Sequence, residues 1–130
     1  MYEIIIIGGG AAGLFSAAVS DKKISGLIIE KKDRVGRKLL MSGSGQCNIT
    51  HGGDIKDFIN HYGANGKRIR KLLYGANNSQ LVSFIESLGV PTFEREDGKV
   101  FPVSLSAEDV RSVLASRAVD NGFEIVRNES

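Results

Sequence analysis

Cysteine is nearly absent from this chain: Cys47 stands alone, so no intrachain disulfide can form and a paired redox dithiol is excluded. The longest apolar run, residues 4–14 with its glycines and alanines counted, falls well short of the roughly 20 residues that cross a bilayer. Met1-Tyr2-Glu3 lacks the basic start of a secretory signal. Together these absences point to a reducing cytoplasm and to no membrane partner. Long runs of one charge are missing as well. The formal net charge is +2, and without a basic tract it does not indicate nucleic acid. There is no internal repeat and no low-complexity linker.

What remains is an ordinary globular composition, 42% apolar and 25% charged, far from disordered or fibrous chains. A length of 130 residues suits one core and hence a single domain. Ile4-Ile5-Ile6-Ile7 is a β-branched run closed by three glycines, which predicts a short strand covered on both faces, as in a parallel sheet. Residues 11–20 carry alanines, Leu14 and Phe15 without proline and predict a helix. Leu27-Ile28-Ile29-Glu30 predicts a second buried strand, completing a βαβ unit whose ligands belong at the carboxyl ends of its strands.

From residue 31 to residue 53 the pattern loses its period, and repeated glycines predict a long functional loop. Residues 58–74 read as weakly helical, with Lys67, Arg68, Arg70 and Lys71 on a solvated face. A helix over residues 80–88 presents Leu81, Phe84, Ile85 and Leu88 as one stripe. Asp97-Gly98 then marks the turn of a hairpin. Ser106 with Asp109 caps another amphipathic helix, and Phe123-Glu124-Ile125-Val126 predicts a third parallel strand. The expected class is α/β, a Rossmann-type parallel sheet with a small hairpin.

Gly8-x-Gly10-x-x-Gly13 is a weak signal in isolation. Here it follows a predicted strand, opens a predicted helix and is answered by Glu30 at the end of the next strand, close to the expected offset of about 20 residues. Each glycine has its own reason: Gly8 for the tight turn, Gly10 for approach of a pyrophosphate, Gly13 for contact between helix and strand. The N–H groups of Ala11 and Ala12 at the helix start face the phosphates, aided by the helix dipole. Glu30, followed by Lys31, is placed to accept from an adenosine ribose and disfavours a 2′-phosphate. A glycine-rich turn that binds nothing is the competing reading. These features imply a dinucleotide and leave FAD and NAD open.

The segment Arg34-Val35-Gly36-Arg37-Lys38-Leu39-Leu40-Met41-Ser42-Gly43-Ser44-Gly45-Gln46-Cys47-Asn48-Ile49-Thr50 resembles the signature loop of the BaiN-like (YhiN-type) family of NAD(P)/FAD-dependent flavoproteins. Phe84-Ile85-Glu86-Ser87-Leu88-Gly89-Val90 and Asp97-Gly98-Lys99-Val100-Phe101-Pro102 resemble the same family. The resemblance implies FAD as cofactor, NAD(P)H as electron donor and an organic acceptor, unsaturated or sterol-like in some members. It further implies that Gly36, Arg37, Lys38, Ser42, Gly43, Gly45 and Asn48 line the flavin side of the pocket. Gln46 departs from the arginine frequent in the family, and His51 from its asparagine. Members are considerably longer, so this chain is expected to be the amino-terminal part of an FAD-binding domain. Alone it should hold flavin loosely, be catalytically silent and be prone to self-association.

Other constellations are weaker. Cys47 without a partner is expected to be a buried packing residue. Cys47, His51, Asp54 and His61 do not make a convincing metal set, since helical spacing is not expected there. Two rivals to the flavoprotein reading stand: a nicotinamide dehydrogenase segment using the same turn for NAD, and a non-enzymatic module binding nucleotide or RNA through Lys67, Arg68, Arg70 and Lys71.

Overall fold

The computed structural model describes residues 1–21 and 24–129. In chain order its elements are β1 (Ile4–Ile7), α1 (Ala11–Ala18), β2 (Gly26–Glu30), α2 (Arg37–Met41), β3 (Thr50–His51) and α3 (Ile55–His61). They continue as α4 (Gly66–Gly75), α5 (Asn78–Ser87), β4 (Thr92–Glu94), β5 (Lys99–Pro102), α6 (Ala107–Asp120) and β6 (Phe123–Arg127), with short 3-10 turns at Ser42–Gly45 and Gly63–Asn65. The chain divides into two compact units, Met1–Cys47 with Ser104–Ser130, and Asn48–Val103.

The first unit is the predicted α/β Rossmann-type layer. Its sheet is parallel with order β1-β2-β6, in a register that sets Ile6 opposite Ile28 and Ile28 opposite Ile125. Leu14, Ala17, Ala18, Val110, Leu114 and Ala118 are buried on α1 and α6, and the alanines let the two helices approach closely. Asn121, at the end of α6, is also buried. Its side-chain amide donates to the carbonyls of Ala17, Ala18 and Ser20 at 3.0, 2.9 and 2.8 Å, so it caps α1, whose last carbonyls have no partner inside the helix.

One expectation does not hold. β1 was expected to be covered on both faces, yet Ile5 and Ile7 are 55% and 78% exposed, with Leu27, Ile29 and Val126 half-buried along the same face. An unbroken apolar run tells that a strand suits burial on both sides, but not which segment supplies each layer.

The second unit holds the antiparallel sheet β3-β5-β4, and its β4–β5 hairpin turns at Asp97-Gly98 as predicted. Asp97 accepts from Arg95 at 2.9 Å, and chiefly that bond lowers its pKa to about 2. The helix predicted from residue 80 starts at Asn78, because Asn77 and Gln80 form a reciprocal capping box. Residues 58–74 are not one helix. Gly63, at φ +54°, lies in the turn between α3 and α4, and α4 then packs back on α3 through Gly66, where a Cβ would overlap the carbonyl oxygen of Ile59. The expected loop over residues 31–53 likewise contains α2, a 3-10 turn and β3. Glycines flanking Arg37-Lys38-Leu39-Leu40-Met41 hide a run of good helix formers.

Candidate functional site

The turn between β1 and α1 is built as the glycine spacing requires. Gly8 has φ +98°, a conformation that favours glycine. A Cβ at Gly13 would overlap the carbonyl oxygen of Gly8 and come within 3.1 Å of Ile6 Cγ2, so only glycine lets α1 lie this close to β1. At Gly10 the situation is reversed: a Cβ would meet nothing within 4 Å. The space beside that backbone is open. Gly10 is also the N-cap of α1, which has no side-chain cap and no acidic residue in its first turn. The N–H groups of Ala11, Ala12 and Gly13 have no intrahelical acceptor, and the positive end of the helix dipole is unblocked. Such an end is suited to an anion.

Glu30 stands at the flank of this turn. One carboxylate oxygen accepts from the Gly9 N–H and the other from the Lys32 N–H, both at 2.8 Å. A carboxylate offers about four lone-pair sites, so each oxygen keeps capacity for a hydroxyl while its orientation is held by backbone. The loop after β2 returns to the same turn. Gly36, at φ +72°, donates its N–H to the Gly9 carbonyl at 2.7 Å, and Val35 is buried against Gly9.

That loop is braced from α6. Arg34 bonds Glu108 at 2.7 Å, Glu108 also accepts from Arg111, and the Arg111 stem lies over Gly36. The Arg111 bond chiefly lowers the Glu108 pKa to about 2. Val35, Arg34, Glu108 and Arg111 were not foreseen as part of the site. Only the β6 position next to β2 could have hinted that α6 comes this way, and nothing in the sequence pairs residues 34 and 108.

Ile7, Gly8, Ile29, Glu30, Lys31 and Val126 line a cleft of about 560 Å³ at the carboxyl ends of the parallel strands, the edge at which open α/β sheets bind ligands. Its walls are apolar and Glu30 is the carboxylate beside the turn. Of the expected site residues, those from Gly8 to Gly45 lie in the first unit, and Asn48 opens the second. Arg37 and Lys38 are exposed on the first turn of α2, with Arg37 paired to Asp33 at 3.7 Å. The Ser42 hydroxyl donates to the Leu39 carbonyl at 2.7 Å. Gly43, Ser44, Gly45 and Cys47 all have positive φ, so this stretch is a tightly coiled backbone rather than an open loop.

Cys47 is fully buried, and burial pushes its thiol pKa up while a bond with Ser42 pulls the other way. A raised pKa disfavours the reactive thiolate. In the second unit, His51, Asp57, Phe58, His61 and Tyr62 line another hollow of about 600 Å³. It is larger, but His51 is engaged with the carbonyls of Gly52 and Asp97 at 2.8 and 3.0 Å, and no phosphate cradle adjoins it among the residues that line it. Among the described residues no group of three or more His, Cys, Asp or Glu is placed to hold a metal ion, and no helix is long and apolar enough to cross a membrane.

This arrangement has relatives. Residues 2–130 match the family described as the HI0933-like protein Rossmann domain. The 3-dehydro-bile acid delta(4,6)-reductase of Clostridium scindens is 34% identical over 117 residues, which are 88% of this chain and 28% of that protein. The ribosomal RNA dihydrouridine synthase of Haemophilus influenzae is 33% identical over 126 residues, 95% of this chain and 30% of that protein. The chain thus spans less than a third of the length of these curated relatives. Among solved structures, THI4 of Thermovibrio ammonificans superposes with a TM-score of 0.58 at 18% identity, covering 97% of this chain and 38% of that one. That likeness shows the fold.

Proposed function

From its place in the HI0933-like protein Rossmann domain family, to which this chain belongs, we propose that it supplies the FAD-binding segment of a flavin-dependent oxidoreductase. The observation that carries this reading is the open space at Gly10, set between an unblocked helix N-terminus and the backbone-held carboxylate of Glu30. The residues present fit an adenine dinucleotide. Gly8, Gly10, Ala11, Ala12 and Gly13 would hold the pyrophosphate, and Glu30 with Lys31 the adenosine ribose. Gly36, Arg37, Lys38, Ser42, Gly43, Gly45 and Asn48 are assigned to the flavin end. When bound, FAD supplies the two-electron chemistry, and the protein's part is to bind, orient and tune it.

Glu30 makes the site a poor one for a 2′-phosphate, since two negative groups would share one hydrogen-bonding position. That excludes neither FAD nor NAD; the family likeness is the ground on which FAD is assigned to this turn, with NAD(P)H as electron donor. Of the relatives, one is a 3-dehydro-bile acid delta(4,6)-reductase and the other a ribosomal RNA dihydrouridine synthase. We take hydride delivery from NAD(P)H through flavin to an acceptor of one of these kinds as the reaction class. Anaerobic addition of NADH or NADPH to a flavin-loaded, full-length family member that carries this segment tests it: the visible flavin absorbance should bleach. Flavin that stays bound and oxidised with both donors would overturn the assignment.

A further inference from the structure

We propose that α4 is a docking surface for RNA, binding its phosphates through Lys67, Arg68, Arg70 and Lys71. Between Asp57 and Glu86 the sequence carries no carboxylate, so this part of the second unit has positive charge with nothing of opposite sign near it in the chain. All four cations are exposed, and none makes an ion pair or hydrogen bond among the described residues. Arg34, Arg37, Arg95, Lys99 and Arg111 each have a carboxylate partner; the other cations without one, such as Arg117 and Arg127, are not gathered four within five residues as on α4. A small net charge for the whole chain therefore conceals a locally basic segment, whose nearest carboxylates in sequence are Asp57 on α3 and Glu86 on α5.

The helix is oriented to present that charge. Gly66 is buried against α3, and Ile69 and Leu73, on the same stripe, are half-buried. The cations are left to solvent along a helix about 15 Å long, at roughly 1.5 Å per residue. One aromatic side chain, Tyr74, lies beside them, and Tyr62 stands at the end of α3. Tyr62 is 50% exposed and Tyr74 is 40% exposed, with the Arg70 guanidinium 5.4 Å from the Tyr74 ring centre. Cations without carboxylate partners next to an exposed ring suit single-stranded or looped RNA, phosphate contact for affinity and stacking for unpaired bases. A lipid surface instead takes up an apolar helix face, and the apolar face of α4 is turned toward α3, leaving Leu72 as its one strongly exposed aliphatic side chain.

This surface goes beyond the flavin reading and selects, from the acceptors considered there, the RNA class. The test measures anisotropy of a fluorescein-labelled RNA stem-loop against the chain across a potassium chloride series. Lys67→Gln with Lys71→Gln is compared with Arg117→Gln and Arg127→Gln, which remove the same charge from the other unit. Each phosphate contact contributes about 0.7–0.9 to the log–log salt slope, so the α4 pair should flatten the slope by about 1.5, and the control pair should leave it near the parent value. The α4 pair should also weaken binding by roughly tenfold, and Tyr74→Ala should weaken it without altering the slope. Equal losses from both pairs, or no loss from the quadruple variant at Lys67, Arg68, Arg70 and Lys71, would overturn the proposal. So would binding to phosphatidylserine vesicles in place of RNA. Flavin retention, read by absorbance in every variant, should not change, which separates failure of this surface from failure of the cofactor site.

Discussion

A methyl group added at Gly10 would meet nothing within 4 Å, whereas one at Gly13 would overlap the backbone of Gly8. The two positions of one motif can therefore be separated experimentally. Gly10→Ala should lose less than about 1 kcal/mol of stability, the scale of a weakened N-cap, yet bind FAD much less well. Gly13→Ala should lose about 1–3 kcal/mol through overpacking, which thermal unfolding reads as a drop of several degrees. Equal destabilisation by both would contradict this division. The carboxylate of Glu30 holds the Gly9 N–H and is the proposed ribose acceptor, so Glu30→Ala should weaken FAD binding by about 1.5–3 kcal/mol. Isothermal titration checks it, and an unchanged affinity would place the ribose elsewhere. These glycine and glutamate positions were legible because spacing along one βαβ unit sets their geometry. The bracing contacts from Arg34 and Arg111 were not, since they join α6 to a distant loop and depend on tertiary packing.

At the scale of elements, α1 and α6 are joined by a polar contact as well as by their alanines. Asn121→Ala would leave the carbonyls of Ala17, Ala18 and Ser20 without that donor. Burial makes this costly, about 1–3 kcal/mol, and urea denaturation should show a lower midpoint with an unchanged slope. Glu108 ties α6 to the loop after β2, and its pKa of about 2 lies below its ordinary 4.5. A depressed carboxylate contributes stability that is present above the ordinary value and lost as pH falls toward the folded one. Glu108→Gln should therefore flatten the loss of stability between about pH 4.5 and pH 2. Melting temperatures across that range give the comparison, and an acid limb identical to the parent's would contradict it. Asp97 titrates in the same sense in the other unit and remains in the variant. β1, β2, β6, the β4–β5 hairpin and the helices α1, α5 and α6 were located from their apolar runs, stripes and turn residues, whereas β3 was missed. α2 and the break between α3 and α4 were missed too, because glycines mask short helices and one left-handed residue at Gly63 redirects the chain.

For the whole molecule, net charge and composition proved poor guides to local surface. The α/β class followed from the order of apolar runs, but the division into two units did not, since no composition shift marks residue 48 or residue 103. The bare face at Ile5 and Ile7 was equally hidden, as alternation is absent from an all-isoleucine strand. The central claim is that the Gly8 to Gly13 turn and Glu30 form an FAD site. The most direct measurement titrates FAD into the chain and into Gly10→Val, following flavin fluorescence, with circular dichroism to confirm that the variant is folded and NAD titrated in parallel. The account predicts saturable quenching by the parent chain, weaker binding of NAD, and no quenching by Gly10→Val with its native spectrum intact. Undiminished FAD affinity in a folded Gly10→Val, or NAD bound in preference to FAD, would contradict it.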